Sequence, residues 1–476
     1  MIVRDGFYIG GRWAPPHGAQ TLEVIDPSIG QLWARIPRGT EKDVDAAVAA
    51  AAEAARSWSR MAPTERSRVL EAVTAELETR ADLLTRTIAS EVGMPLKMSA
   101  RVQVAGPLGH WASYAALAGN FVFERNVGNS LVVREAAGVV AAITPWNFPF
   151  SQITLKVAAA MAAGCTVVLK PSEVAPINAF ILAEAMEAAG VPHGVFNLVT
   201  GLGPEVGEWL VTHPGVDIIS FTGSTRVGRR IGELAAQQVR KVTLELGGKS
   251  AAVVLDDADL AKAVKSTVGN CYLNSGQTCS AHTRLVVPRT QFEEALALAK
   301  AAAERFRVGP AHAEGSMLGP LVSAAQRDRV LGYIRRGIEE GARLVCGGVE
   351  PPEGLEKGYF VRPTVLATED PYCAVAQEEI FGPVLTVIPH DGDDDAVRIA
   401  NATPYGLAGG VWAGTDERAL AIARRIRSGQ MDINGGIWNP AAPFGGFGQS
   451  GIGRECGVYG LEEFLEYKAL QLAISK

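Results

Sequence analysis

Cysteine is scarce in this chain: six residues in 476, with no CxxC pair and no regular spacing. That argues against a disulfide framework and makes a reducing cytoplasm the expected compartment. Histidine is nearly as sparse, seven in all, and no cysteine–histidine cluster has metal-ligand spacing, so no metal is expected. Positive charge is not in surplus. The net charge of −6 gives no electrostatic case for nucleic acid or an anionic membrane. The longest nearly apolar run, Val157 to Leu169, is flanked by Lys156 and Lys170. It falls short of the ~18 residues a membrane span needs. Arg4 and Asp5 break the start of the chain, so no secretory signal is expected. Internal repeats, low-complexity tracts and long linkers are also missing. What remains is an ordinary globular composition, 47% hydrophobic and 20% charged, in a chain long enough for two or three domains.

The first 40 residues are rich in Gly, Pro and short β-prone pieces. Thr40 and Asp43 then form a capping-box signal before the alanine-rich "DVDAAVAAAAEAARSW", and helical patterning continues with breaks to about Ala118. "FVFERNVGNSLVVREAAGVVAAI" reads as a β-hairpin turning near Val127-Gly128-Asn129. From Gly138 a strand–helix alternation begins. "GVVAAITP", "TVVLKP", "GVFNLVTG", "DIISFTGS" and "KVTLELGG" are buried-type strands separated by helix-period stretches, which predicts a parallel sheet covered on both faces. Near Gly247 the series restarts with "SAAVVLDD" and runs to about Gly436. "EEFLEYKALQLAISK" can supply a late strand to the early hairpin. The expected fold is α/β, with two packed lobes and a cleft between them.

In open parallel sheets, ligands bind beyond the carboxyl ends of the strands, so those ends carry the candidates. "FTGSTRVG" ends a strand and opens a helix whose free N–H groups could receive a phosphate. Its G-x-x-x-x-G spacing is followed by Arg229 and Arg230 where a P-loop needs Lys then Ser/Thr, which disfavours an NTPase. The dinucleotide pattern G-x-G-x-x-G is absent, "GLGPEVG" being a near miss. Gly223 and Gly228 serve either a tight turn or a ligand. Lys170 and Glu173 in "VVLKPSE" are either a solvated pair or partners for nucleotide phosphate and ribose hydroxyls. Glu245, between Leu244 and Leu246, is either a structural glutamate or a carboxylate whose raised pKa suits it to general-base work. Cys279 lies in the polar run "NSGQTCSAHTR", unlike Cys165 in "AAGCTVV" or Cys346 in "RLVCGG". It is either a structural thiol or a nucleophile.

Seven motifs, in order, resemble those of the aldehyde dehydrogenase superfamily: "PWNFP" (Pro145–Pro149), "KPSE" (Lys170–Glu173), "FTGS" (Phe221–Ser224), "LELGGK" (Leu244–Lys249), "GQTC" (Gly276–Cys279), "EEIFGP" (Glu378–Pro383) and "PFGGFGQSGIGRE" (Pro443–Glu455). The resemblance covers almost the whole chain. It implies a Rossmann-like cofactor domain over 1–118 and 138–246, a catalytic α/β domain over 247–440, and an oligomerisation arm over 119–137 and 455–476. The family's cofactor domain lacks the ordinary glycine fingerprint, which accounts for its absence here. A homodimer or homotetramer is expected.

The resemblance also implies roles. Cys279 attacks the aldehyde carbon. The Asn147 amide and the Cys279 backbone N–H hold the oxyanion. The adduct passes hydride to NAD, leaving a thioester that Glu245 helps water to hydrolyse. Trp146, Lys170, Glu173, Gly223, Ser224, Leu246, Glu379 and Phe381 are expected around the dinucleotide, with Lys156 as support near Asn147. Glu173 would oppose a 2′-phosphate, so NAD is expected over NADP. Glu466, in "FLEYK", matches a second glutamate assigned to a proton path. By spacing from these motifs, Phe148, Ser151, Leu155, Thr278, Ser280 and Trp438 line the substrate tunnel. They suggest an apolar or aromatic aldehyde, and no arginine stands among them to hold a substrate carboxylate. The rival readings are a CoA-acylating relative, which Glu245 disfavours, and a catalytically silent structural or nucleic-acid-binding relative. Retention of Cys279, Glu245 and Asn147 opposes silence, and the charge balance opposes nucleic acid.

Overall fold

A computed structural model describes residues 1–473; the last three residues of the expected arm, 474–476, lie outside the described residues. All five predicted strands form, and they pair in parallel in the order Lys241–Glu245, Ile218–Thr222, Val139–Ile143, Thr166–Lys170, Phe196–Leu198. Antiparallel additions extend both edges to eight strands: Gly451–Ile452 beside Glu245, and Phe7–Ile9 with Arg12–Ala14 beside Phe196–Leu198. The other N-terminal pieces, Ile2–Val3, Gln31–Pro37 and Thr21–Asp26, make a separate three-stranded sheet.

The strand series that restarts at Ala251–Val254 builds a second sheet of seven strands. Its members are parallel except for the edge pair Arg343–Cys346 and Thr364–Ala367. The hairpin forms from Glu124–Val127 and Ser130–Ala136, and Leu465–Gln471 joins it in antiparallel register.

Local chemistry explains the helices that matter here. The helix Glu41–Trp58 buries Val44, Ala47, Val48, Ala51, Ala54 and Trp58 along one stripe. At its start the Asp43 carboxylate accepts the Thr40 backbone N–H (2.8 Å) and hydroxyl (2.7 Å). The helix Pro149–Ala163 differs: 14 of its residues are buried, because it lies between the eight-stranded sheet and the helix Gly106–Asn120. Proline at its first turn costs no hydrogen bond, and Gly164 at φ +95° ends it in the left-handed conformation. Between the helices Ala81–Val92 and Gly106–Asn120, residues Ser99–Ala105 adopt a π-helical turn. Such wide turns recur at functional sites, and this one delivers Gln103 to the site below.

Candidate active site

The run around Cys279 is shaped by its backbone. Asn274, Ser275 and Gly276 all have left-handed φ angles of 53°, 57° and 74°. Two consecutive non-glycine residues in that region are costly, so the surroundings must hold them. Asn274 Nδ2 donates to the Asn147 carbonyl at 2.8 Å, Ser275 Oγ to the Gly319 carbonyl at 2.8 Å, and Gln277 Nε2 to the Asn274 carbonyl at 3.0 Å. Gln277 Oε1 accepts the Val322 N–H at 2.9 Å. At Gly276 a Cβ would come within 2.0 Å of the Gly382 carbonyl oxygen, so only glycine fits. The polar residues that set Cys279 apart in the sequence are therefore the ties of a braced turn that leaves the thiol half-buried at a cavity wall.

Asn147 shares that wall. Its backbone carbonyl is also held by Gln103 Nε2 at 2.8 Å, and its own Nδ2 donates to the Gln277 carbonyl at 3.0 Å. An amide nitrogen carries two protons, so one remains for an oxygen near the sulfur. Burial, reinforced by the carboxyls of Glu379, Glu245 and Glu455, pushes the Cys279 thiol up to about 12. The resting thiol is thus neutral and needs a base.

Glu245 ends its strand 4% exposed, and among the described residues neither carboxyl oxygen has a hydrogen-bond partner. Burial, then the neighbouring Glu455, raises its pKa well above the usual carboxylate range; Lys156 and Arg454 oppose this. Lys156 Nζ, on the sheet-facing side of its helix, lies 2.5 Å from Glu455 Oε1 and 2.7 Å from Thr222 Oγ1. The second carboxyl beside Glu245 is therefore Glu455, from the "GRE" of the last motif. Glu466 is not positioned for the proton path expected of it. It projects from the exposed strand opposite Glu135, and its carboxylate lies 3.8 Å from Lys241, at the far end of the strand that Glu245 terminates.

Trp146, Gly223, Ser224, Leu246, Glu379 and Phe381 line one cavity of about 210 Å³ with Asn147 and Cys279. Its residues fit a dinucleotide. Trp146 and Phe381 meet edge to face at 5.4 Å, forming an aromatic wall, and Phe381 is held at φ +62°. Ser224 caps the helix Thr225–Ala236, whose first N–H groups are free for an anion. A Cβ at Gly223 would strike the Phe221 ring at 2.4 Å, and one at Gly247 the Glu379 carboxylate at 2.2 Å. Backbone and carboxylate thus meet where a side chain would fill the space. Glu379 Oε1 accepts the Gly248 N–H at 3.1 Å, and burial raises its pKa to about 7. Sequence reasoning missed Gln326 and Arg329, which reach this cavity from the helix Ala324–Glu339. Lys170 and Glu173 lie outside this wall; Lys170 Nζ is 2.9 Å from Glu173 Oε2.

A second cavity, of about 430 Å³, meets the first at Gln152 and Cys279. Phe148, Ser151, Leu155, Thr278, Ser280 and Trp438 all line it. Phe148, Ser151, Gln152 and Leu155 fall at i, i+3, i+4 and i+7, one helical face turned to the tunnel. The opposite side, not seen in the sequence, includes Val102, His110, His282 and Asp432. Among the described residues, no lysine or arginine lines this tunnel.

A braced cysteine and an amide donor thus stand where a cleft of about 210 Å³ meets a tunnel of about 430 Å³, with a buried carboxyl acting on the thiol. The aldehyde dehydrogenase family model matches residues 13–470, and the chain belongs to that family. The 3-succinoylsemialdehyde-pyridine dehydrogenase of Pseudomonas sp is 47% identical over 98% of each chain. Aldehyde dehydrogenase C of Pseudomonas syringae, solved as a variant with NAD+ and octanal, superposes with a TM-score of 0.98 at 44% identity, covering 99% of this chain and 98% of that one. The aldehyde dehydrogenase of Mycobacterium tuberculosis, solved with NAD+, gives 0.97 at 42% identity over 100% and 99%.

Proposed function

We propose that this enzyme oxidises an aldehyde to the carboxylic acid with NAD, and that water rather than CoA ends the cycle. The observation carrying this reading is the meeting of two cavities at Cys279, with Asn147 on the wall of the first and Glu245, buried behind both linings, near enough for its carboxyl to act on the Cys279 thiol. The Cys279 thiol gives its proton to water in the cleft; the thiolate then bonds to the carbonyl carbon, the carbonyl π bond breaks and the oxygen takes the charge toward Asn147 Nδ2 and the Cys279 N–H, and loss of hydride from that carbon leaves the thioester. When bound, NAD supplies the hydride acceptor. Glu245 then takes a proton from water as it attacks the thioester; the carbon–sulfur bond breaks and the acid leaves. Burial and the neighbouring Glu455 raise the pKa of Glu245, so ionising it for this step is costly, and the Glu455–Lys156 pair beside it is the proposed route for its proton.

Trp146, Leu246 and Phe381 hold the nicotinamide end and Glu379 its ribose. Gly223 and Ser224 face the pyrophosphate, and Lys170 with Glu173 the adenine ribose. Residues 1–118 with 138–246 serve the cofactor and 247–440 the chemistry. The aromatic tunnel suits an aldehyde with an apolar or aromatic body, like the octanal held by the Pseudomonas syringae neighbour. Val122, Val127, Tyr467, Leu470 and Leu472 are exposed on or beside the hairpin and last strand, which supports assembly into a dimer or tetramer through that arm. Six free thiols support a cytoplasmic setting, and no described helix is long and apolar enough to cross a membrane. The test is product analysis with an aromatic or medium-chain aldehyde and NAD, with and without CoA. Free acid in both supports the reading; acyl-CoA whenever CoA is present contradicts it.

A further inference from the structure

The tunnel carries a charge that the oxidation does not use. Asp432 stands on the edge strand Asp432–Ile433, its side chain 24% exposed, among the residues lining the tunnel. Its Oδ1 accepts from Gln430 Nε2 at 3.2 Å, and its Oδ2 lies 3.7 Å from His282 Nε2, beyond hydrogen-bond reach. His282 is itself fixed. Its backbone N–H donates to Asn270 Oδ1 at 2.7 Å, and its ring packs so closely on Gly410 that a Cβ there would approach to 3.1 Å. Burial lowers the pKa of His282, against the pull of Asp432, and lowers that of His110. Both imidazoles are therefore neutral near neutral pH. Among the described residues no lysine or arginine lines the tunnel, so Gln430 and the neutral His282 are the polar groups beside the Asp432 carboxylate.

The same tunnel is lined by the rings of Trp438, Phe148 and Phe444, and by Trp412, over which Lys262 Nζ already lies 5.7 Å from the ring centroid. A carboxylate-bearing tail would be repelled by Asp432, and a neutral tail, although the apolar walls accept its body, gains nothing from the charge where its far end approaches it. A cationic tail gains an ion pair and aromatic faces together. We propose that Asp432 is a specificity-determining residue, and that the tunnel favours aldehydes whose far end is a cation: a quaternary or protonated amine, or a protonated nitrogen heterocycle. This rests on the aldehyde-oxidising reading above.

The test compares trimethylammoniobutanal with its tert-butyl isostere, in which carbon replaces the charged nitrogen, using NAD and either wild type or Asp432→Asn. In wild type, kcat/KM for the cation should exceed that for the isostere by at least about tenfold, mainly through KM. Asp432→Asn should bring the ratio to within about threefold of unity. Equal use of both aldehydes by wild type overturns the proposal. So does a variant that loses both activities in proportion, because Asp432 then only supports the His282 wall. If wild type oxidises neither while oxidising an aromatic aldehyde, the proposal is overturned; if it oxidises no aldehyde with NAD, the aldehyde-oxidising reading itself fails, a distinct result.

Discussion

Lys156 Nζ sits 2.5 Å from Glu455 Oε1, joining a buried helix to the chain's last glycine-rich motif immediately beside Glu245. Removing one partner of such a pair leaves a buried charge alone, at a typical cost of about 3–5 kcal/mol. Lys156→Gln should therefore lower unfolding stability by roughly that amount, and Glu455→Gln should slow turnover by about tenfold or more as Glu245 loses its neighbour in the proton path. Glu466→Gln, at an exposed strand position, should change neither measurement appreciably. Urea unfolding and steady-state NADH formation on the three variants check this. A slow Glu466→Gln beside a normal Glu455→Gln would reverse the assignment.

The pH profile follows from the same groups. Cys279 and Glu245 both work ionised, and burial raises both pKa values. Activity should therefore fall as pH falls, beginning well above the ordinary carboxylate range. Lys156 lowers the pKa of Glu245, so Lys156→Gln should move the acid limb of kcat to higher pH. A shift to lower pH would contradict the electrostatic account.

Asn147 separates catalysis from scaffolding. Its backbone carbonyl accepts from Gln103 and Asn274, contacts that truncating the side chain leaves in place. Asn147→Ala should lower kcat by about 10²–10³ with only a small change in thermal unfolding. Loss of stability with retained kcat would make it a structural residue only.

Glu173, paired with Lys170, is the proposed source of coenzyme preference. At ~4 Å, like charges repel by about 1 kcal/mol in water and about 4 at an effective dielectric of 20. The adjacent ammonium opposes this, so wild type should favour NAD over NADP modestly. Glu173→Gln should narrow the kcat/KM ratio, chiefly by improving NADP. An unchanged ratio would remove Glu173 from the explanation.

Much of this architecture was legible because its signals are local. Each of the five strands is a short apolar run with its own boundaries, and the residues around Cys279 announce a braced polar turn. The choice between Glu455 and Glu466 was not legible. Glu455 closes the last motif and Glu466 follows it by eleven residues, and what separates them is the register that sets Glu466 opposite Glu135 on an exposed sheet. The far tunnel wall was hidden for a related reason. Val102 and His110 lie about 170 residues before Cys279, on and after a π-helical turn with no sequence mark. Asp432 lies far from Cys279 in the sequence, and His282, in the Cys279 run, gains meaning only when the loop before Arg284–Pro288 packs over Gly410 beside the edge strand Asp432–Ile433. Likewise, nothing in "FYI" indicated that Phe7–Ile9 would extend the sheet beside Phe196–Leu198.

The central claim is that the reaction passes through an acyl group on Cys279 which Glu245 helps water to remove. The most direct measurement is intact-protein and peptide mass spectrometry of Glu245→Gln, quenched in acid after mixing with NAD and a good aldehyde. The account predicts a mass increase equal to one acyl group, located on the peptide containing Cys279, together with about one NADH per site before turnover slows. No adduct despite NADH formation, or an adduct on another of the six cysteines, would contradict it.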